Sequence, residues 1–126
     1  MKMTFAYWSI ILCAVLAYFT VLYAKFGEGF SNHNPREYLE NLKEGKRKRA
    51  FWAQQNTLEI LPLYIGAIII GHLQNIDIYI LNAIALVFLG SRVLYALAYI
   101  YDRPNLRSII WSVGFGCIIG IFVLAS

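Results

Sequence analysis

The length of its apolar runs constrains this chain more than any other feature. Predominantly apolar stretches extend from about Thr4 to Ala24, Gly45 to His72, Ile78 to Tyr101 and Leu106 to Ala125. A helix needs about 20 such residues to cross the hydrocarbon core of a bilayer. Apolar residues lie in unbroken runs rather than alternating with polar ones, which excludes a transmembrane β-barrel. Only 14% of the residues are charged and the mean hydropathy is +0.58, whereas a soluble domain carries about a quarter charged residues. The pattern predicts an all-α integral membrane protein: a four-transmembrane-helix antiparallel bundle forming a single domain over residues 1–126.

The net charge of +4 would suit a nucleic-acid binder, but its placement argues otherwise. Lys25, Arg36, Lys43, Lys46, Arg47, Lys48 and Arg49 crowd into the connection between the first two apolar runs. That is how cytoplasmic loops facing anionic lipid are built, so membrane lipids and not nucleic acid are the expected partner. The third connection also carries Arg103, while Leu73 to Asp77 carries no Lys or Arg. Both termini are therefore expected on the non-cytoplasmic side. The first run is too long for a cleaved signal and reads as a retained helix. Cys13 and Cys117 lie within apolar runs and read as buried free thiols. His33 has no partner at metal-ligand spacing, so no metal is expected.

Smaller features refine the outline. Gly27, Gly29, Asn32, Asn34 and Pro35 break the chain after the first helix. Arg36 to Leu42 suits a short interfacial helix with Tyr38, Leu39 and Leu42 on one side. Pro62 lies inside the second apolar run and removes one backbone bond there. Asp102 or Asn105 stands where it could cap the last helix. Gly114, Gly116 and Gly120 in that helix would allow close helix approach.

Polar residues at membrane depth are costly and tend to face the bundle interior. The second segment carries Arg49, Trp52, Asn56 and Glu59, at steps of three, four and three; the third carries Arg92, Tyr95, Tyr99 and Asp102 at the same steps. Each set lies along one helix face. Matching depth from the cytoplasmic ends of two antiparallel helices predicts Glu59 paired with Arg92 roughly 15 Å down, with Asn56 opposite Tyr95, Trp52 near Tyr99, and Arg49 near Asp102. Such a ladder could simply hold helices together. It could instead line a pocket for an anionic or zwitterionic ligand, its mouth ringed by Arg49, Arg103 and Arg107. An ion relay would want further carboxylates in line with Glu59. One of Gln54 and Gln55 at most should reach the site. His72 and Asn82 read as local hydrogen-bonding groups, and Tyr7, Tyr18 and Tyr64 as packing residues.

These residues form a recognisable set. Asn34-Pro35-Arg36, Arg49-Ala50 followed by Gln54-Gln55-Asn56 with Glu59 and Pro62, and Arg92 with Tyr95, Tyr99 and Asp102 ahead of Leu106-Arg107-Ser108 and Trp111 resemble the MAPEG family, membrane-associated proteins in eicosanoid and glutathione metabolism. The likeness covers nearly the whole chain and is nearest to the small bacterial branch, which implies a bacterial inner membrane. It implies a homotrimer with a cytoplasmic-side site between subunits and glutathione as co-substrate. Arg49, Asn56, Glu59, Arg92, Tyr95 and Tyr99 would bind the tripeptide. Arg107 and Ser108 would be catalytic, activating the sulfur for transfer to a lipophilic electrophile or reduction of a hydroperoxide. The alternative is a non-enzymatic trimer holding a lipid or another anionic ligand in the same pocket. Trp52 stands where several family enzymes have arginine, and Trp111 where one branch has tyrosine.

Overall fold

A computed structural model describes residues 2–126 of the chain. The elements are α1 (Phe5–Lys25), a short α2 (Pro35–Glu40), α3 (Lys46–Leu73), α4 (Ile78–Ile100) and α5 (Pro104–Ala125). Apart from α2, all are long and apolar enough to cross a membrane, and the expected four-helix bundle is what forms. Tyr38, Leu39 and Leu42 pack α2 against Ala24, Ala50 and Phe51 as its pattern suggests. Helix α3 runs unbroken through Pro62, whose missing N–H leaves the Leu58 carbonyl without its usual partner.

The packing reverses that of a soluble bundle. The residues α1 buries are Ala6, Ser9, Cys13, Ala17, Thr20 and Ala24, all small, while Trp8, Phe19 and Leu22 point outward. Lipid solvates large side chains as well as a protein core does, so membrane helices gain from close backbone approach. Helix α1 packs chiefly on α3, and α4 on α5. A Cβ at Gly114 would stand 2.8 Å from Ser91 Oγ, so this glycine permits the α4–α5 contact. Gly116 and Gly120, the other two expected contact glycines, face open space within this chain. At the bundle centre Tyr64 stacks on Phe88 with ring centroids 3.8 Å apart.

The polar bonds away from the site tie helix ends together. Thr4 accepts from the Tyr7 N–H, and Asn82 of α4 accepts from the Ala6 N–H at 3.0 Å, satisfying two of the amide groups that a helix N-terminus leaves free. His72 bonds the Ile68 carbonyl through Nδ1 and Thr4 Oγ1 through Nε2, both at 2.7 Å. His72 and Asn82 thus bond across helices to α1, not only locally.

At the opposite end, four consecutive cations, Lys46 to Arg49, open α3, where the helix dipole disfavours positive charge. The last three each serve the C-terminus of another helix. Arg47 Nε donates to the Ala24 carbonyl of α1, Lys48 Nζ to the Leu39 and Glu40 carbonyls of α2, and Arg49 Nε to the Ile100 carbonyl of α4. Arg47 also bonds the Tyr38 hydroxyl. Charge unfavourable to α3 is thereby placed on the orphan carbonyls of three neighbours.

Candidate functional site

The polar residues of α3 and α4 meet near this basic end. In α3 the buried stripe is Ala50, Ala53, Thr57, Ile60, Tyr64 and Ala67. The polar set of Trp52, Asn56 and Glu59 runs one residue out of step with it, about 100° around the helix, and therefore lies along the flank. In α4 the buried stripe includes Leu81, Ala85, Phe88, Arg92 and Tyr95, so its polar set faces inward.

This difference in facing overturns the expected Glu59–Arg92 pair. Arg92, 1% exposed, donates from Nη2 to Asn56 Oδ1 at 2.7 Å and to Thr57 Oγ1 at 3.0 Å. Its Nε and Nη1 have no partner among the described residues, and Glu59 is exposed on the α3 flank. The Arg49–Asp102 pairing is replaced as well: Arg49 meets Ile100, two residues earlier. Helix α4 ends at Ile100 and Asp102 turns off it with φ of 57°, so Asp102 is not on the helical face assumed for it. Both arginines thus reach partners two or three residues from those expected, Arg92 bonding Asn56 and Thr57. Asp102 and Asn105 do not cap α5 either; Arg103 holds the cap position with no side-chain bond, and Pro104 starts the helix. Proline disfavours helical backbone in the residue before it, which sets that boundary.

The aromatic expectations agree with the structure. Trp52 and Tyr99 lie 6.3 Å apart, and Tyr99 meets Tyr95 edge-on at 5.8 Å. Arg92 sits 4.3 Å from the Tyr95 ring and Arg107 4.3 Å from the Tyr99 ring. Two guanidinium groups therefore bracket the tyrosine pair, each held against a π face.

Two cavities adjoin this pair. One, of about 350 Å³, is lined by Trp52, Gln55, Asn56, Glu59, Tyr95 and Tyr99. The other, of about 200 Å³, is lined by Tyr95, Arg107, Ser108, Trp111 and Ser112. Tyr95 belongs to both. Ser108 Oγ donates to the Pro104 carbonyl at 3.1 Å, so its hydroxyl has only acceptor capacity left. Of the two glutamines, Gln55 alone reaches the larger cavity. Arg103 remains exposed, while Arg49, half-buried, is engaged with the Ile100 carbonyl.

Residues 5–126 match the MAPEG family, so the likeness extends over essentially the whole chain. The chain belongs to the MAPEG family. No curated protein and no solved structure gave a significant match to it. Sequence reasoning missed two residues of this MAPEG site. Thr57 supports Arg92 and was legible only as a member of the buried stripe. Ser112 lines the smaller cavity one turn after Ser108 and donates to its carbonyl at 2.9 Å.

Chemically, the larger cavity offers a carboxylate, two amides and two phenols, which suits a polar ligand with both donors and acceptors. The smaller one sets a guanidinium beside a hydroxyl and an indole. A cation so placed would stabilise an anion formed next to it, such as a thiolate or an alkoxide.

Proposed function

We propose that this protein is a glutathione-dependent membrane transferase or peroxidase acting on a lipophilic electrophile or hydroperoxide. The observation that carries the reading is the pair of cavities sharing Tyr95, one polar and one combining Arg107 with Trp111. Such a pair suits two substrates of unlike polarity meeting at one point. In this reading Asn56, Glu59, Tyr95 and Tyr99 bind the tripeptide. Arg107 holds its sulfur as the thiolate, raising the fraction of nucleophile near neutral pH. Ser108 orients the sulfur or the electrophile. In transfer, the thiolate forms a carbon–sulfur bond and the electrophile's leaving group departs with the bonding pair. Arg92 supports the site from behind, and Arg49 holds the end of α4 beside it.

The same proposal includes a homotrimer in a bacterial inner membrane, with the basic connection in the cytoplasm and both termini outside it. Glu59 and Gln55 are exposed midway and a third of the way along α3. A charge left facing lipid at that depth is costly, and a neighbouring subunit would cover it. A site completed between subunits follows from that cover.

The deciding measurement is thiolate absorbance on mixing purified protein with glutathione. A saturable signal that Arg107→Ala abolishes is expected. No saturable signal from the unaltered protein would sink the glutathione reading, and anionic lipid or another anion retained through purification would then favour the non-enzymatic binding role.

A further inference from the structure

We propose that Arg92 is a positioning residue that fixes which way the Asn56 amide faces, so that the larger cavity receives an N–H2 donor rather than a carbonyl oxygen. A guanidinium carries donors and no acceptor. Whichever end of the Asn56 amide lies 2.7 Å from Arg92 Nη2 must therefore be its oxygen. The NH2 end is left for the cavity that Asn56 lines with Trp52, Gln55 and Glu59.

The arrangement is locked by what Arg92 lacks. The group is 1% exposed, and its Nε and Nη1 already have no partner among the described residues. Turning the amide over would aim a donor at a donor and remove one of the two acceptors that Nη2 holds, the other being Thr57 Oγ1 at 3.0 Å. An unpaired buried donor is costly, and more so when charged. The Tyr95 ring, 4.3 Å from the guanidinium, limits its escape on one side. The cavity wall thus has a defined polarity: a donor from Asn56 and, one turn on, the acceptor-only carboxylate of Glu59. Arg92 itself does not line that cavity, and its effect passes through Asn56.

Only the identity of the ligand in this inference rests on the proposed glutathione site; the amide's orientation rests on the bonds. The test uses Asn56→Asp, Arg92→Met and Arg92→Lys in full-length protein in nanodiscs, read by melting midpoint and by glutathione affinity. Aspartate still accepts from Arg92 and adds charge, yet has no N–H to offer the cavity. Asn56→Asp should therefore raise the midpoint while weakening glutathione binding by about tenfold. A purely structural role would move the two together. Arg92→Met should weaken binding by a similar factor and cancel the midpoint gain of Asn56→Asp, and Arg92→Lys should restore most of the affinity. Undiminished binding by Asn56→Asp, or a midpoint gain that persists with Arg92→Met, overturns the proposal. If the unaltered protein binds no glutathione, the functional reading fails. The orientation is then judged on midpoints alone: a gain that needs Arg92 supports it, and no gain, or one independent of Arg92, overturns it.

Discussion

At the scale of single residues, this bundle shows how unequal the two ends of one hydrogen bond are. Ser9 Oγ donates to the Ala6 carbonyl at 2.6 Å, so the Tyr64 hydroxyl must donate to Ser9, at 2.5 Å. Both residues are fully buried. Tyr64→Phe removes a donor and leaves Ser9 still bonded to Ala6; it should cost about 0.5–1.5 kcal/mol. Ser9→Ala strands a buried phenol and should cost more. Reversible unfolding in detergent would rank the two, and the reverse order would contradict the assigned direction. Trp52 supports a second prediction. It lines the larger cavity where several family enzymes carry arginine. Trp52→Arg should tighten glutathione binding by about tenfold, the scale of one charge-assisted bond, as read by calorimetry. Unchanged affinity would mean that position 52 does not face the ligand.

At the scale of helices, Arg47, Lys48 and Arg49 at the start of α3 act as clamps. Replacing Arg47 and Lys48 together by methionine frees the carbonyls of Ala24, Leu39 and Glu40. Hydrogen exchange over residues 35–40 should then accelerate markedly while the centre of α3 stays protected. Equal protection in both proteins would show that apolar docking of Leu39 alone retains α2. The α4–α5 contact depends on Gly114 in the same way. Gly114→Val places new carbons against Ser91 and should cost about 1–3 kcal/mol by overpacking. A Cβ added at Gly116 meets nothing within 4 Å. If Gly116→Ala nevertheless disrupts assembly, that face of α5 is where another subunit docks.

At the scale of the whole molecule, the one charge exposed midway along a membrane-spanning helix, among the described residues, is Glu59 on the flank of α3. The proposed homotrimer covers that flank, and native mass spectrometry from nanodiscs should find three copies of the 14.4 kDa chain. Glu59→Leu removes the exposed charge, so it should leave the monomer fold intact and alter the subunit equilibrium. An unaltered protein found only as a monomer would rule out cover of this kind.

The four spans, the short interfacial helix and the polar steps along α3 and α4 were legible in the sequence, because hydropathy and helical periodicity are local properties. So was the small-residue stripe of α1 in principle, since Ala6, Ser9, Cys13, Ala17, Thr20 and Ala24 recur at steps of three and four. What the tertiary structure alone decided was facing and register. A shift of one residue around α3 moved Glu59 from the interior to the flank, and a shift of two along α4 exchanged Asp102 for Ile100 as the partner of Arg49. Periodicity says which residues share a helix face. Which way that face turns, and how deep its neighbour sits, depends on where small side chains let backbones meet, and that is settled only when every helix is in place.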